Sequence, residues 1–250
     1  VFHISRLQLF GSYVSAYVML SIIGMIAGVI LSVFLAKSRA LPRSFVFRMT
    51  ALVLFTGVLA QAFVSFIPRF MLPFSYLLGL FLSLALFLII GKIFGYNPGD
   101  CAELGLISVN TYMIFSKLGC FLAGCCHGLP YTGFLSVVYA QGTHSSLPGI
   151  PLFPIQLTEV FVRFLLLFLM LIVYNKKIVN VFIIPLYVCL MALCYFWGML
   201  FWYEAIRAVN QNGINYILIF NVIFGLGTVV IVTLLLISAK VKYIRGGANL

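Results

Sequence analysis

The chain has 250 residues, 64% of them hydrophobic and 8% charged, with 15 basic against 4 acidic residues and a mean hydropathy of +1.21. A water-soluble domain of this size needs far more polar surface, so the composition excludes an ordinary soluble enzyme and points to hydrocarbon as the solvent. The formal charge of +11 would indicate nucleic acid in a soluble protein; here the basic residues stand between apolar runs, where they read as topology determinants and lipid-headgroup contacts, so no nucleic-acid partner is expected.

A bilayer core of roughly 30 Å takes about 20 apolar residues as a helix. On that ruler the chain is expected to be all-α, a single polytopic membrane domain over residues 1–250 with about seven transmembrane helices. The N-terminal residues Val1 to Arg6 lack the features of a secretory signal, and no small-residue cleavage site ends the first apolar run, so that run is expected to stay as a span. The spans are predicted at Ser15–Ala36, Thr50–Ile67, Leu72–Ile90, Leu104–Leu122, Gln156–Tyr174, Val179–Trp202 and Ile214–Ser238. Asn110, Lys117 and several glycines interrupt the fourth, where a broken or re-entrant helix is an open reading.

Lys37, Arg39, Arg43 and Arg48 follow the first span, Lys92 the third, Lys176 and Lys177 the fifth, and Lys240, Lys242 and Arg245 the seventh. Seven spans put all four clusters on one side, which sets the N-terminus outside and the C-terminus in the cytoplasm. The longest loop, 124–155, then lies outside, and Arg69, Glu159 and Glu204 fall near the outer interface. No ATP-binding motif, internal repeat or second soluble domain is visible, and neither a cofactor nor a metal is expected.

Charges inside spans are costly, about 2.5–3.5 kcal/mol each at a helix centre, and mark function by default. Glu159 and Arg163 stand four apart on one face of the fifth span and can partly neutralise each other. Glu204 and Arg207 stand three apart after the sixth. Structural links are the plainer reading of both pairs. Lys117 has no local partner, and its depth favours an anion inside the bundle, either Glu159 or a lipid phosphate.

The run Lys117-Leu-Gly-Cys-Phe-Leu-Ala-Gly-Cys-Cys-His-Gly128 closes the fourth span. Gly119, Gly124 and Gly128 permit close backbone approach and tight turning at a helix end. Cys125, Cys126 and His127 supply a nucleophile and a base, although neighbours on one backbone often point apart. Zinc on Cys120, Cys125, Cys126 and His127 is the weaker reading, because the spacing matches no common closed site. A disulfide suits an outer, oxidising location better. Cys189 and Cys194, inside an apolar span, read as packing residues, and His144 as a solvated loop histidine.

These motifs resemble those of the prolipoprotein diacylglyceryl transferase family. Its signature Arg-x-Gly-Asn-Phe-x-Asn-Gly-Glu-x-x-Gly is similar to the run from Lys117 to Gly128, and its His-Pro-x-Gln-Leu-Tyr-Glu to Phe153-Pro-Ile-Gln156-Leu-Thr-Glu159. Gly133 to Tyr139 resembles the family's short apolar stretch in the outer loop, Tyr17 a tyrosine near the start of its first helix, and Phe201-Trp-Tyr-Glu204-Ala-Ile-Arg207 its late Phe-x-x-Glu-x-x-Arg segment. Lys117 replaces the family's phosphate-binding arginine, Cys120 and Cys125 its Asn and Glu, Phe153 its histidine, and Leu200 a second arginine.

The resemblance implies seven helices in a bacterial plasma membrane and transfer of diacylglycerol from phosphatidylglycerol to a lipoprotein cysteine, with release of glycerol phosphate. The expected function is a phospholipid-dependent transferase at the outer leaflet, with an anionic phospholipid as donor and a lipoprotein precursor or another molecule as acceptor. Lys117 would bind the headgroup phosphate with Arg69 or Arg163. His127 would act as general acid/base, and Tyr17 and Gln156 would position substrate. Glu159 would hold Lys117 or Arg163, and Glu204 would pair with Arg207. In a second version Cys125 or Cys126 briefly carries an acyl group. A non-catalytic lipid-binding or partner protein on the same scaffold, and a small-solute transporter, are the readings from other classes.

Overall fold

The computed structural model describes residues 7–9, 12–14, 16–64, 72–141, 143, 145, 147–175, 184, 186, 187, 190, 191 and 193. They are mostly helical. A short antiparallel pair, β1 (Leu7–Leu9) and β2 (Ser12–Val14), leads into α1 (Ala16–Leu35), followed by a 3-10 turn (Ala36–Arg39), α2 (Arg43–Val64), α3 (Leu72–Ile93) and α4 (Pro98–Ala123). A second two-stranded pair, β3 (Val137–Val138) and β4 (Pro151–Leu152), lies between α4 and α5 (Ile155–Asn175). The two hairpins are departures from the all-α expectation. The sixth and seventh predicted spans lie outside the described residues, apart from helical positions between 184 and 193.

Three of the described helical segments are long and apolar enough to cross a membrane: Ala16–Arg39, Pro98–Ala123 and Ile155–Asn175. Their outward faces are apolar. Ile22, Ile26, Ile30 and Phe34 are exposed on α1, and Phe161, Phe164, Leu165 and Phe168 on α5. The buried positions include Ser108, Asn110, Gln156, Glu159 and Arg163. Apolar groups outside and polar groups inside reverse the arrangement of a soluble bundle and suit a lipid surround.

Helix α4 is central and packs against α1, α3 and α5. Its most apolar stretch is 61% buried, against 33% for α1 and α5. Asn97 caps its start by accepting a hydrogen bond from Gly99 N at 2.9 Å, and Pro98 occupies the first turn with its fixed φ. Without hydrophobic driving force between helices in lipid, close packing needs small residues. Gly24 and Gly28, four apart on α1, provide it. A Cβ on Gly24 would sit 2.6 Å from Phe115 Cβ, and one on Gly28 would sit 2.7 Å from the Ser108 carbonyl oxygen.

The end of α1, the start of α4 and the end of α5 meet at one pole of the bundle. There Arg39 Nη2 lies 2.6 Å from Glu103 Oε2, and Arg39 Nε lies 3.5 Å from Asp100 Oδ1. The guanidinium stacks 4.6 Å from the ring centroid of Tyr174, whose hydroxyl donates to Leu35 O at 2.8 Å. Arg39, expected as a topology determinant and lipid-headgroup contact, is turned onto the end of the bundle. Its side chain is 9% exposed and neutralises a glutamate that is fully buried.

Helix α4 also runs unbroken from Pro98 to Ala123, where a break was an open reading. Two of its buried polar residues are met, one from α5 and one within the helix itself. Asn110 Nδ2 donates to Arg163 O at 3.1 Å, and Thr111 Oγ1 donates to Ile107 O within the helix.

Candidate functional site

The end of α4 and the starts of α1 and α5 form the pole opposite Arg39. Lys117, near the end of α4, lies across from Glu159 in the second turn of α5, with Nζ 2.6 Å from Oε2. The side chains are 17% and 6% exposed, so this is a largely buried ion pair. Glu159, one of the two anions expected for Lys117, is in direct contact with it. Glu159 thus directs its charge to the facing helix. Arg163, one turn deeper and fully buried, reaches Asn110 Oδ1 at 3.4 Å.

Gln156, also fully buried, stands one turn before Glu159. Its Nε2 donates to Cys125 O at 2.7 Å and lies 3.4 Å from the Tyr139 hydroxyl. Turning the amide over would set two carbonyl oxygens against each other, so Nε2 must be the atom facing Cys125. That leaves Gln156 Oε1 buried and without a hydrogen-bond partner among the described residues. An unsatisfied acceptor there costs about 1–3 kcal/mol, which a hydrogen-bond donor on a ligand would recover.

Gly119 lets α4 approach α1 at Tyr17, since a Cβ on it would fall 2.8 Å from Tyr17 Cα. Gly124 ends α4 in the left-handed conformation, φ +78°, and its amide donates to Phe121 O. Tyr139, from the loop, packs across this turn. At Gly128 a Cβ would meet Phe153 O at 2.6 Å, and the amide donates to that same oxygen at 3.0 Å. The loop 124–155 is accordingly folded onto the bundle end. Val137, Tyr139 and Leu152 form a small core of their own.

Cys126 also adopts a left-handed conformation, φ +56°, which is uncommon for a residue with a Cβ. The reversal through Gly124 and Cys126 folds the loop cysteines back over the last turn of α4. The Sγ atoms of Cys120, Cys125 and Cys126 all lie within 4.8 Å of one another. All three are thiols, as is Cys101, so the expected disulfide is not formed among the described cysteines. Hydrogen bonds from Cys120 and then Cys125 hold the Cys126 thiol well below the usual thiol range, against the opposing effect of burial. For Cys125 the bond with Cys120 lowers the value, but the bond with Cys126 and burial outweigh it and push the thiol up to about 12. Burial raises the Tyr139 phenol.

His127 is buried, with Nδ1 3.0 Å from Gly128 O. A carbonyl oxygen only accepts, so Nδ1 carries the proton in this contact, which in the neutral ring puts the lone pair on Nε2. The fold thus brings Tyr17, Lys117, Gly119, Gly124, Cys125, Cys126, His127, Gly128, Gln156 and Glu159 to one pole, with Arg163 a turn deeper. Arg69, His144, Glu204 and Arg207 lie outside the described residues.

Sequence reasoning missed two features. One is the part of Tyr139, which its place in an apolar loop stretch did not reveal. The other is the second buried charge cluster at Arg39, whose signal was Asp100 and Glu103 standing directly before an apolar run. No family model matches the chain, and no curated protein matches it.

Proposed function

We propose that this protein is a seven-helix bacterial plasma-membrane transferase, with its N-terminus outside and its C-terminus in the cytoplasm, that uses an anionic phospholipid at the outer leaflet. The observation that carries this reading is the Lys117–Glu159 pair, 2.6 Å apart, buried between α4 and α5. An ionisable pair in an apolar bundle is expensive, and a lysine ammonium is a point-charge partner for phosphate. Beside it, the unpartnered Gln156 Oε1 suits a donor such as a headgroup hydroxyl. The exposed apolar faces of α1 and α5 give acyl chains a surface next to the site.

In this scheme Lys117 holds the headgroup phosphate, Glu159 fixes the ammonium, and Gln156 and Tyr17 position the glycerol. An acceptor thiol attacks the diacylglycerol carbon that bears the phosphate. A carbon–sulfur bond forms, the carbon–oxygen bond to phosphate breaks, and glycerol phosphate leaves. His127 takes the thiol proton on Nε2. Cys125 and Cys126 border the same position. Arg69, Glu204 and Arg207 enter only through the family resemblance, as further phosphate and pairing residues.

A second reading is a lipid-binding protein without turnover, in which the buried Lys117–Glu159 pair is a structural link between α4 and α5. Mass spectrometry of protein reconstituted with phosphatidylglycerol, with and without a cysteine-bearing lipoprotein signal peptide, separates the two. A peptide that gains diacylglycerol is the expected result. Lipid consumed without peptide modification would assign another acceptor. Unchanged lipid and peptide, with phospholipid still bound, would contradict turnover and leave the binding reading.

A further inference from the structure

The spacing of Cys120, Cys125 and Cys126 argued against a metal centre, yet the fold brings the three sulfurs into one cluster. Cys120 contributes from the last turn of α4. The left-handed residues Gly124 and Cys126 return the other two to it, and no sequence rule for zinc spacing describes that reversal. The turn is held from several sides. Cys125 N donates to Cys120 O at 3.1 Å, Cys125 Sγ lies 3.7 Å from the same oxygen, and Gln156 Nε2 anchors Cys125 O at 2.7 Å.

Around a tetrahedral ion with zinc–sulfur bonds of about 2.3 Å, thiolates stand roughly 3.8 Å apart. Sulfurs already within 4.8 Å of one another reach that spacing with shifts of about 1 Å or less, the scale of a small side-chain rotation. Thiolates select soft cations such as zinc or copper(I). Charge distinguishes these two. Lys117 and Glu159 cancel each other, so three thiolates around a monovalent ion leave −2 in a largely apolar setting, whereas a divalent ion leaves −1.

We propose that Cys120, Cys125 and Cys126 form a three-thiolate site for a soft divalent d10 cation, zinc first among them, with the fourth position open to water or a substrate oxygen. Three protein ligands and one open position characterise catalytic rather than closed structural zinc sites. Each ligating thiol loses its proton to solvent, so a fully ligated zinc ion displaces three protons. The assignment goes beyond the lipid reading and stands whether or not the protein turns over phospholipid.

The test uses the full chain in detergent, purified under reducing conditions, stripped with a chelator and titrated with cobalt(II) as an optical probe. One equivalent should produce thiolate-to-cobalt charge-transfer absorption and the intense ligand-field bands of a tetrahedral ion, and zinc should abolish both. Cys120→Ser, Cys125→Ser and Cys126→Ser should each weaken the metal by more than about tenfold, while Cys101→Ser should titrate like wild type. Alkylation of the wild-type protein, mapped by peptide mass spectrometry, is a readout independent of how the variants fold. One equivalent of zinc should shield the three cluster cysteines. Equal labelling with and without zinc, no charge-transfer absorption at one equivalent, or bands retained in all three serine variants would overturn the proposal.

Discussion

Replacing Lys117 with Met tests the buried pair on which the site is built. At an effective dielectric of about 20, unit charges 2.6 Å apart attract by roughly 6 kcal/mol, and desolvation of both ions offsets most of that. The net contribution of the intact pair is therefore small, but breaking it is not. Glu159, 6% exposed, would be left as an uncompensated buried carboxylate, which typically costs 3–5 kcal/mol. Because the Lys117 side chain keeps 17% exposure, water can partly relieve the loss, and we expect a destabilisation of about 3 kcal/mol, the low end of that range. Adding Glu159→Gln removes the stranded charge and should return stability to within about 1 kcal/mol of wild type. Reversible unfolding in mixed micelles, followed by far-ultraviolet circular dichroism as the denaturing detergent fraction rises, measures all four corners of the cycle. A Lys117→Met variant as stable as wild type, or a double variant whose loss equals the sum of the single losses, would refute the reasoning.

Other expectations concern single positions. Gly119→Ala should cost about 1–3 kcal/mol by overpacking, because its Cβ would fall 2.8 Å from the Tyr17 backbone; the matching change at Gly57, where a Cβ meets nothing within 4 Å, should stabilise slightly and serves as the control in the same micelle assay. Gln156→Leu strands the Cys125 carbonyl but also removes the unpartnered Oε1, so the net loss should stay at or below about 1 kcal/mol, while proteolysis of loop 124–155 should speed up; unchanged cleavage would dissociate Gln156 from the turn. Ala40, exposed and left-handed at φ 54°, should gain about 0.5–1 kcal/mol when changed to Gly. A loss of stability there would show that the turn after α1 differs.

The parts of the fold legible in the sequence are those that lipid contact dictates. The first span was expected at Ser15–Ala36 and the helix runs Ala16–Leu35; the fifth, expected at Gln156–Tyr174, runs Ile155–Asn175. Hydropathy misplaced the starts of α2 and α4, because both helices open with charged residues. Arg43 and Arg48 lie inside α2, and Asp100 and Glu103 inside α4. Glu103 is accommodated by Arg39, 64 residues away in sequence, a pairing that no local window contains.

The interrupted look of the fourth span had a similar cause. Asn110 and Lys117 are tolerated because Arg163 and Glu159 on α5 meet them, and Gly119 is occupied sterically by Tyr17. The depth of Lys117 pointed to an anion inside the bundle, with Glu159 and a lipid phosphate both open, and Glu159 is a partner it meets. The thiol cluster was not legible, since it depends on two left-handed residues reversing the chain within three positions of the helix end.

The most direct test of a phospholipid-transferring site at Lys117 is release of glycerol phosphate from headgroup-labelled phosphatidylglycerol in proteoliposomes supplied with a cysteine-bearing peptide. Wild-type protein is expected to release it, and the folded Lys117→Met, Glu159→Gln double variant is expected to release none. Intact lipid with folded wild-type protein, or equal release by the double variant, would contradict the assignment of Lys117 to the phosphate.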